Sequence, residues 1–192
     1  MSVSLSKNER VALSKDNSVT KVKVCLGWET AKYDDDGDFD LDSSCFAIQR
    51  NGMTRCDEDF VFYGNLKHPS GAITHTGDDL VGGGNKDNEI VLVDLSKVPK
   101  YVEKIVFTTT IFEAERRMQN FGMVNKSFIR VVDDVTGKEI LRYDLKESFN
   151  SETAIIVGEI YRDGNGWKFK AVGEGFEGGL AKICEKFGIE VK

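Results

Sequence analysis

The chain has 192 residues, of which 40% are apolar and 30% are charged, enough to build the core of one domain over 1–192 and keep it in solution. Its 32 acidic residues outnumber its 26 basic ones, and the net charge of −6 argues against a nucleic-acid partner, which requires a basic face on the protein. No apolar run approaches the ~18 residues of a transmembrane helix, and the N-terminal residues lack the apolar stretch of a secretory signal, so we expect a cytoplasmic protein with no direct membrane insertion.

Strand-forming segments follow one another along most of the chain. They are rich in Val, Ile, Thr, Phe and Tyr and are separated by Gly, Asn and Asp. Alternation of apolar and polar residues, clearest in 22–26 and 167–171, is typical of antiparallel strands with one buried face. In chain order the predicted strands are Lys21–Trp28, Cys45–Gln49, Asp59–Tyr63, Glu89–Leu95, Lys104–Phe112, Phe128–Asp133, Glu139–Asp144, Ala154–Arg162 and Trp167–Val172.

Helical periodicity is clear at the C-terminus. Leu180, Ile183, Cys184 and Phe187 follow the spacing of one helix face, and Gly188 can end that helix in the left-handed conformation. A shorter helix is predicted over 114–119. Because the strands do not alternate with helices and no linker or repeat interrupts them, we predict a mainly β fold: a two-sheet antiparallel β-sandwich with a short C-terminal helix and metal-binding loops at one end.

The negative charge is concentrated in two short segments. Residues 34–42, the first acidic loop, contain six aspartates and no cation, and residues 78–89, the second acidic loop, carry a net charge of −3. The rest of the chain has a net charge of +3. This distribution makes the two loops the candidates for a functional site.

The first acidic loop contains an alternating run, Asp38-Phe39-Asp40-Leu41-Asp42. In an extended chain the aspartates share one side, and Phe39 and Leu41 anchor the other side in the core. Crowded carboxylates repel one another, and a hard divalent cation such as calcium relieves the repulsion with oxygen ligands. A solvated acidic turn is the alternative for this run.

The second acidic loop adds oxygen donors next to three consecutive glycines, whose backbone can turn tightly. Neither loop follows the EF-hand pattern, so we predict that both loops together bind one or two Ca²⁺ ions. The predicted metal ligands are Asp38, Asp40, Asp42, Asp78, Asp87 and Glu89, with Asp36, Asp79, Asn85 and Asn88 as further donors. His75, just before this loop, is a candidate ligand or base or a structural histidine.

Other motifs carry little functional signal. The run 173–178 matches G-x-G-x-x-G but lacks the βαβ context of a dinucleotide site, so we interpret it as a turn between strand and helix. No nucleophile elbow, zinc-protease motif or Walker loop is present, and we expect no catalytic residues and no other cofactor. The four cysteines have no metal-binding spacing, and we expect free thiols.

A set of short segments spread along the chain carries a family resemblance. The segments are MSVSLSK at 1–7, LGW at 26–28, DFDLD at 38–42, DFVFYGNLK at 59–67, HTGD at 75–78, VDLSKVP at 93–99, QNFG at 119–122, FIRVV at 128–132, RYDL at 142–145 and GEIYR at 158–162. In these segments the sequence closely resembles the TerD family of tellurium-resistance and stress-response proteins. The resemblance implies a calcium-binding β-sandwich in a cytoplasmic protein tied to tellurite and other stresses. It also implies that no enzymatic activity is to be expected.

The chain departs from the family pattern in the second acidic loop. Where the family usually reads Gly-Asp-Gly-Asp-Asp-Glu, residues 84–89 contain Asn85, Lys86 and Asn88, and fewer charged ligands should weaken calcium binding. Phe112 stands where the family usually has histidine.

Two functions from different classes remain open at this point. In the first, calcium-loaded acidic loops present a surface to partners, namely other stress-response proteins, including membrane-associated complexes. In the second, bound calcium holds a small anionic or phosphorylated ligand in an enzyme or receptor. A structural stress protein with merely solvated loops is a third interpretation.

Overall fold

A computed structural model describes residues 2–29, 39–77, 87–146 and 148–191. In these residues, twelve strands form two six-stranded sheets, as the strand pattern predicts. The first sheet has the order β1-β10-β9-β3-β7-β6, and the second has the order β2-β12-β11-β8-β4-β5. The strands are Val3–Leu5 (β1), Arg10–Ala12 (β2), Lys21–Glu29 (β3), Leu41–Ile48 (β4), Phe60–Val61 (β5), Ile73–His75 (β6), Glu89–Asp94 (β7), Lys104–Ile111 (β8), Lys126–Asp133 (β9), Glu139–Asp144 (β10), Ala154–Asp163 (β11) and Gly166–Phe176 (β12).

Strand pairing is antiparallel within both described sheets except at one edge. There β1 runs parallel to β10, with Val3 opposite Leu141. This pairing differs from the fully antiparallel sandwich that the sequence predicts. The reason is topological, since a three-residue strand at the N-terminus reaches the sheet edge through tertiary contacts rather than through a hairpin.

The main core lies between the two sheets. Val24, Val91 and Val131 of the first sheet and Phe107 and Ile155 of the second are each fully buried in one cluster. Their burial explains the alternating patterns, because every second residue of each strand faces the opposite sheet.

Two α-helices accompany the sheets in the described residues, Ala114–Arg117 (α1) and Gly179–Phe187 (α2), together with three single-turn 3-10 helices at Asp57–Asp59, Leu95–Lys97 and Phe121–Met123. Helix α2 lies on the outer face of the second sheet, where its Ile183 and Phe187 form a second buried cluster with Phe46 and Ile48 of β4. The helix ends at Gly188 in the left-handed conformation, as predicted. No helix in the described part of the chain is long and apolar enough to cross a membrane.

Candidate functional site

Asp40 sits where the first acidic loop enters β4. Its neighbours Phe39 and Leu41 are buried in the main core, as the alternating run predicts. Its backbone oxygen accepts a hydrogen bond of 2.8 Å from the Phe112 amide. The loop end is therefore fixed on both the core side and the backbone side.

The carboxylate of Asp40 is incompletely satisfied. Its Oδ1 is buried, and no group in the described residues donates a hydrogen bond to it. Burial raises the pKa of Asp40, the positive charge of Arg117 opposes that rise, and the negative charge of Glu89 adds to it. Asp40 and Glu89, one from each acidic loop, are thus close enough to repel one another electrostatically.

Glu89 begins β7 and is 2% exposed. Its carboxylate accepts a hydrogen bond from the Ser43 amide of β4, and its Oε2 lies 3.4 Å from His75 Nε2. The Ser43 hydroxyl lies 2.8 Å from the same ring nitrogen. These contacts cross from the first sheet to the second and fix the position of the carboxylate.

The hydrogen bonds of His75 assign the tautomer of its neutral ring. The Gly77 amide donates to Nδ1 at 3.1 Å, so Nδ1 is an acceptor and Nε2 carries the proton. Nε2 then donates toward Ser43 Oγ and Glu89. His75 therefore supports Glu89 and also fixes Gly77, which immediately precedes the second acidic loop.

Asp42 occupies a different position on β4, opposite Thr110 of β8. Its side chain is 7% exposed and lines a groove of about 560 Å³, together with Glu113, Arg116 and Gly179. Asp40 and Asp42 both lie near the segment 112–117.

Asp87 and Asn88 have partners in the first sheet. Arg130 of β9 donates to both carboxylate oxygens of Asp87, at 2.7 and 2.5 Å. Asn88 Oδ1 accepts from the Trp28 amide at 3.0 Å, and the Asn88 amide donates to the Leu26 oxygen at 2.9 Å. These contacts attach the end of the second acidic loop to β3 and β9.

The remaining predicted donors lie outside the described residues. They are Asp36, Asp38, Asp78, Asp79 and Asn85. Within the described ranges, no three His, Cys, Asp or Glu side chains converge closely enough to hold a metal ion. The described part of the chain therefore brings together Asp40 and Glu89, and the full ligand set predicted from the sequence stays a prediction.

A buried carboxylate oxygen without a donor, next to a second buried carboxylate, fits a hard cation that binds oxygen ligands. Sequence reasoning missed the supporting groups around this pair. Ser43 gave no signal because a serine inside a strand is common, and Arg117 lies far along the chain from Asp40. The sequence does single out His75, and its contacts support the interpretation of this residue as a structural histidine.

Comparisons with known proteins give a consistent picture. The family model described as the TerD domain matches residues 1–187. The chain is 48% identical to general stress protein 16U of Bacillus subtilis (strain 168) over 192 residues, covering 100% of both chains. It is 50% identical to tellurium resistance protein TerD of Alcaligenes sp over 190 residues, covering 98% of both.

The fold also matches a solved structure. A crystal structure of a homologue of telluride resistance protein (TerD) from Streptomyces coelicolor A3(2) superimposes with a TM-score of 0.66 at 19% identity. The match covers 86% of this chain and 95% of that one. At this identity the likeness establishes the shared fold.

Proposed function

The chain belongs to the TerD family, and from that premise we propose that it is a calcium-binding stress-response protein. The proposal rests mainly on the buried Oδ1 of Asp40, which accepts no hydrogen bond from the described residues. The negative charge of Glu89 also acts on the Asp40 carboxylate. A bound Ca²⁺ would supply the positive charge that these two carboxylates need. Asp38 and Asp78, from the two acidic loops, are proposed as further ligands.

Hydrogen bonds from surrounding residues hold Asp40 and Glu89 in place before any cation binds. Ser43 and His75 hold the carboxylate of Glu89, and the Phe112 amide holds the backbone of Asp40. Fixing the carboxylates before the ion arrives reduces the ordering that binding requires. Calcium accepts six to eight oxygen ligands in variable geometry, which suits donors from two separate loops.

Arg117 offers an alternative way to neutralise Asp40. Its charge lowers the pKa of Asp40 against the effect of burial. If this internal cation were sufficient, the acidic loops would need no metal. Measured calcium binding distinguishes the two arrangements.

The stress-response part of the proposal rests on the relatives. Proteins named for general stress and for tellurium resistance align with the chain over almost its full length. We place the protein in the cytoplasm, where free cysteines are stable, and propose that the loaded loops contact partner proteins without catalysing a reaction. The alternative is that bound calcium holds a small anionic ligand. Calorimetry with phosphorylated metabolites, with and without calcium, tests this alternative, and heat of binding that appears only with calcium would favour it.

Isothermal titration calorimetry with calcium tests the metal site. Wild-type protein should bind calcium, Asp40→Asn should abolish binding, and Glu89→Gln should weaken it by more than about tenfold. Asp16→Asn is the matched control, because Asp16 is an exposed aspartate in another loop. Equal affinity in all four proteins, or no binding by the wild type, would contradict the proposal.

A further inference from the structure

An apolar groove of about 460 Å³ opens on the outer face of the second sheet, between α2 and the segment 57–65. We propose that it binds a short segment of another protein that carries a large apolar side chain next to arginine or lysine. The volume falls within the range of about 300–1,000 Å³ found for small-ligand sites. This inference goes beyond the proposed calcium site and does not depend on it.

One side of the groove is formed by an aromatic ladder that runs from the core to the surface. The rings of Phe46 and Phe60 stack at 4.5 Å, and those of Phe60 and Phe62 stack at 4.3 Å. Tyr63 meets Phe62 edge-on at 5.1 Å and is 47% exposed. The buried end of the ladder holds the exposed rings in place, so this side is rigid before any partner binds.

The opposite side of the groove belongs to α2 and the residues after it. Leu180, Ala181 and Cys184 of the helix line the groove, with Ile189 and Val191 beyond it. Val191 is 62% exposed, although its side chain is fully apolar. Exposed apolar side chains gathered around one concavity are typical of a surface that another molecule covers.

The charges around the groove indicate the chemistry of its occupant. Asp57, Glu58 and Glu190 line it and are all exposed. No lysine, arginine or histidine is among the described residues that line it. A partner with arginine or lysine would complement these carboxylates, and the faces of exposed aromatic rings also attract such cations.

Other occupants fit this groove less well. An anionic membrane surface would be repelled by the three carboxylates. A second copy of this chain would bring its own net charge of −6 to the same acidic rim. A positively charged peptide with an apolar anchor satisfies both the concavity and its charge.

Selection from a displayed library of short random peptides tests the proposal, performed once with calcium and once with chelator. We expect the enriched peptides to combine Leu, Phe or Trp with neighbouring Arg or Lys in both conditions. Their affinity should fall as salt is raised, because salt screens the rim carboxylates. Such peptides should be enriched in both conditions even if the protein binds no calcium. Failure of the groove proposal can therefore be distinguished from failure of the calcium proposal.

Two variants connect binding to the groove. Ala181→Arg places a large cation in the groove from an exposed helix position and should weaken peptide binding by about tenfold or more. Ala12→Arg is the matched control, since Ala12 is exposed on β2 at the other edge of the same sheet. Glu58→Gln with Glu190→Gln, at exposed positions, should remove the preference for basic peptides without disturbing the fold.

Several results would overturn the inference. These are the absence of enriched peptides, enrichment of acidic or uncharged ones, and binding that Ala181→Arg leaves unchanged. A dimer in analytical ultracentrifugation that Ala181→Arg dissociates would assign the groove to a second copy instead. Calorimetric binding to anionic lipid vesicles that depends on Ala181 would assign it to a membrane surface.

Discussion

Arg130 holds both carboxylate oxygens of Asp87, through Nε at 2.7 Å and Nη2 at 2.5 Å, and reaches Glu139 of β10 at 3.1 Å through Nη1. These hydrogen bonds raise the pKa of Arg130. The ion pair between Arg130 and Asp87 joins the last residues of the second acidic loop to the middle of the first sheet. Asp87 therefore has a structural role that the sequence pattern alone does not indicate.

Removal of the guanidinium should loosen this attachment. We expect Arg130→Gln to lower the free energy of unfolding by about 1–3 kcal/mol, because two charge-assisted hydrogen bonds to a partly buried carboxylate are lost. Urea unfolding measures the change. Lys168→Gln is the control: its partner Asp163 is exposed, so this variant should lose clearly less stability than Arg130→Gln. Equal losses would mean that Asp87 is not structurally anchored.

Asp87→Asn separates the structural role from metal ligation. If Arg130 is the main partner of Asp87, the variant should lose stability but keep most of its calcium affinity, whereas Asp40→Asn should lose calcium binding. Calorimetry on both variants makes the comparison. Loss of calcium binding in Asp87→Asn at unchanged stability would instead establish Asp87 as a ligand, as the sequence pattern predicts.

A second buried network predicts how stability depends on pH. Asp59 is 1% exposed and accepts hydrogen bonds from His68 Nε2 at 2.9 Å and from Tyr101 Oη at 2.7 Å. Burial alone would raise the pKa of Asp59, but these hydrogen bonds and one from the Arg55 amide hold it below its ordinary value of 3.8. A carboxylate with a lowered pKa stabilises the fold above its unfolded pKa, and the contribution is lost as the pH falls through the folded value.

Asp59→Asn should therefore be less stable than wild type at neutral pH, and the difference should shrink below about pH 4. Urea unfolding from about pH 7 to about pH 3 measures both proteins. Asp57→Asn, at an exposed position in the same turn, serves as the control. A difference in unfolding free energy that stays constant over this range would show that the charge of Asp59 does not stabilise the fold.

The cysteines give a prediction about redox chemistry. All four are free, as the sequence predicts, and Cys25, Cys45 and Cys184 are buried. Mainly through burial, the pKa of Cys25 is raised to about 12 and that of Cys184 to about 11. The reactive thiolate form of both residues is therefore scarce near neutral pH. In the native protein a thiol reagent should modify Cys56 first, and the others only on unfolding.

Mass spectrometry after brief labelling identifies the modified cysteine. Reductant should leave the melting temperature unchanged, because no disulfide contributes to stability. Fast labelling of Cys45, or a melting temperature that falls by several degrees in reductant, would contradict this account of the thiols.

Much of the fold is predictable from the sequence because long strands show several periods of alternation. Each predicted strand is present, and α2 begins and ends within a residue or two of the apolar pattern. The sequence pattern does not predict the strands β1, β2 and β6. Each of these strands has three residues, too few to show an alternating pattern of apolar and polar residues. Each forms because it pairs with the edge of a longer neighbouring strand.

The strand β4 begins earlier than the sequence pattern predicts, since that pattern places Asp42, Ser43 and Ser44 in or beside the acidic loop. In the structure they are strand residues with buried side chains. The Ser44 and Thr108 hydroxyls hydrogen-bond at 2.6 Å, and Ser43 reaches His75. Polar residues can occupy a buried strand when partners from distant segments satisfy them, and single-sequence patterns do not reveal such partners.

The candidate site was predictable only in outline. The alternating aspartates and the glycine-rich segment point to Asp40 and Glu89, two carboxylates whose charges repel one another in the structure. Their role as metal ligands stays a prediction. The engagement of Asp87 by Arg130 depends on how β7 and β9 flank β3. That arrangement follows from sheet topology, which local spacing does not encode.

Thermal melting in chelator, in magnesium and in calcium at matched ionic strength tests the central claim most directly. A ligand that binds only the folded protein adds about 2.7 kcal/mol of stability at a hundredfold excess over its Kd, which raises the melting temperature of such a domain by several degrees. We expect calcium to produce this rise in the wild type and in Asp16→Asn but not in Asp40→Asn. Magnesium should produce a smaller rise, because it holds its waters and requires a tight octahedron. Three superimposable wild-type curves would contradict the account and leave the acidic loops without a metal.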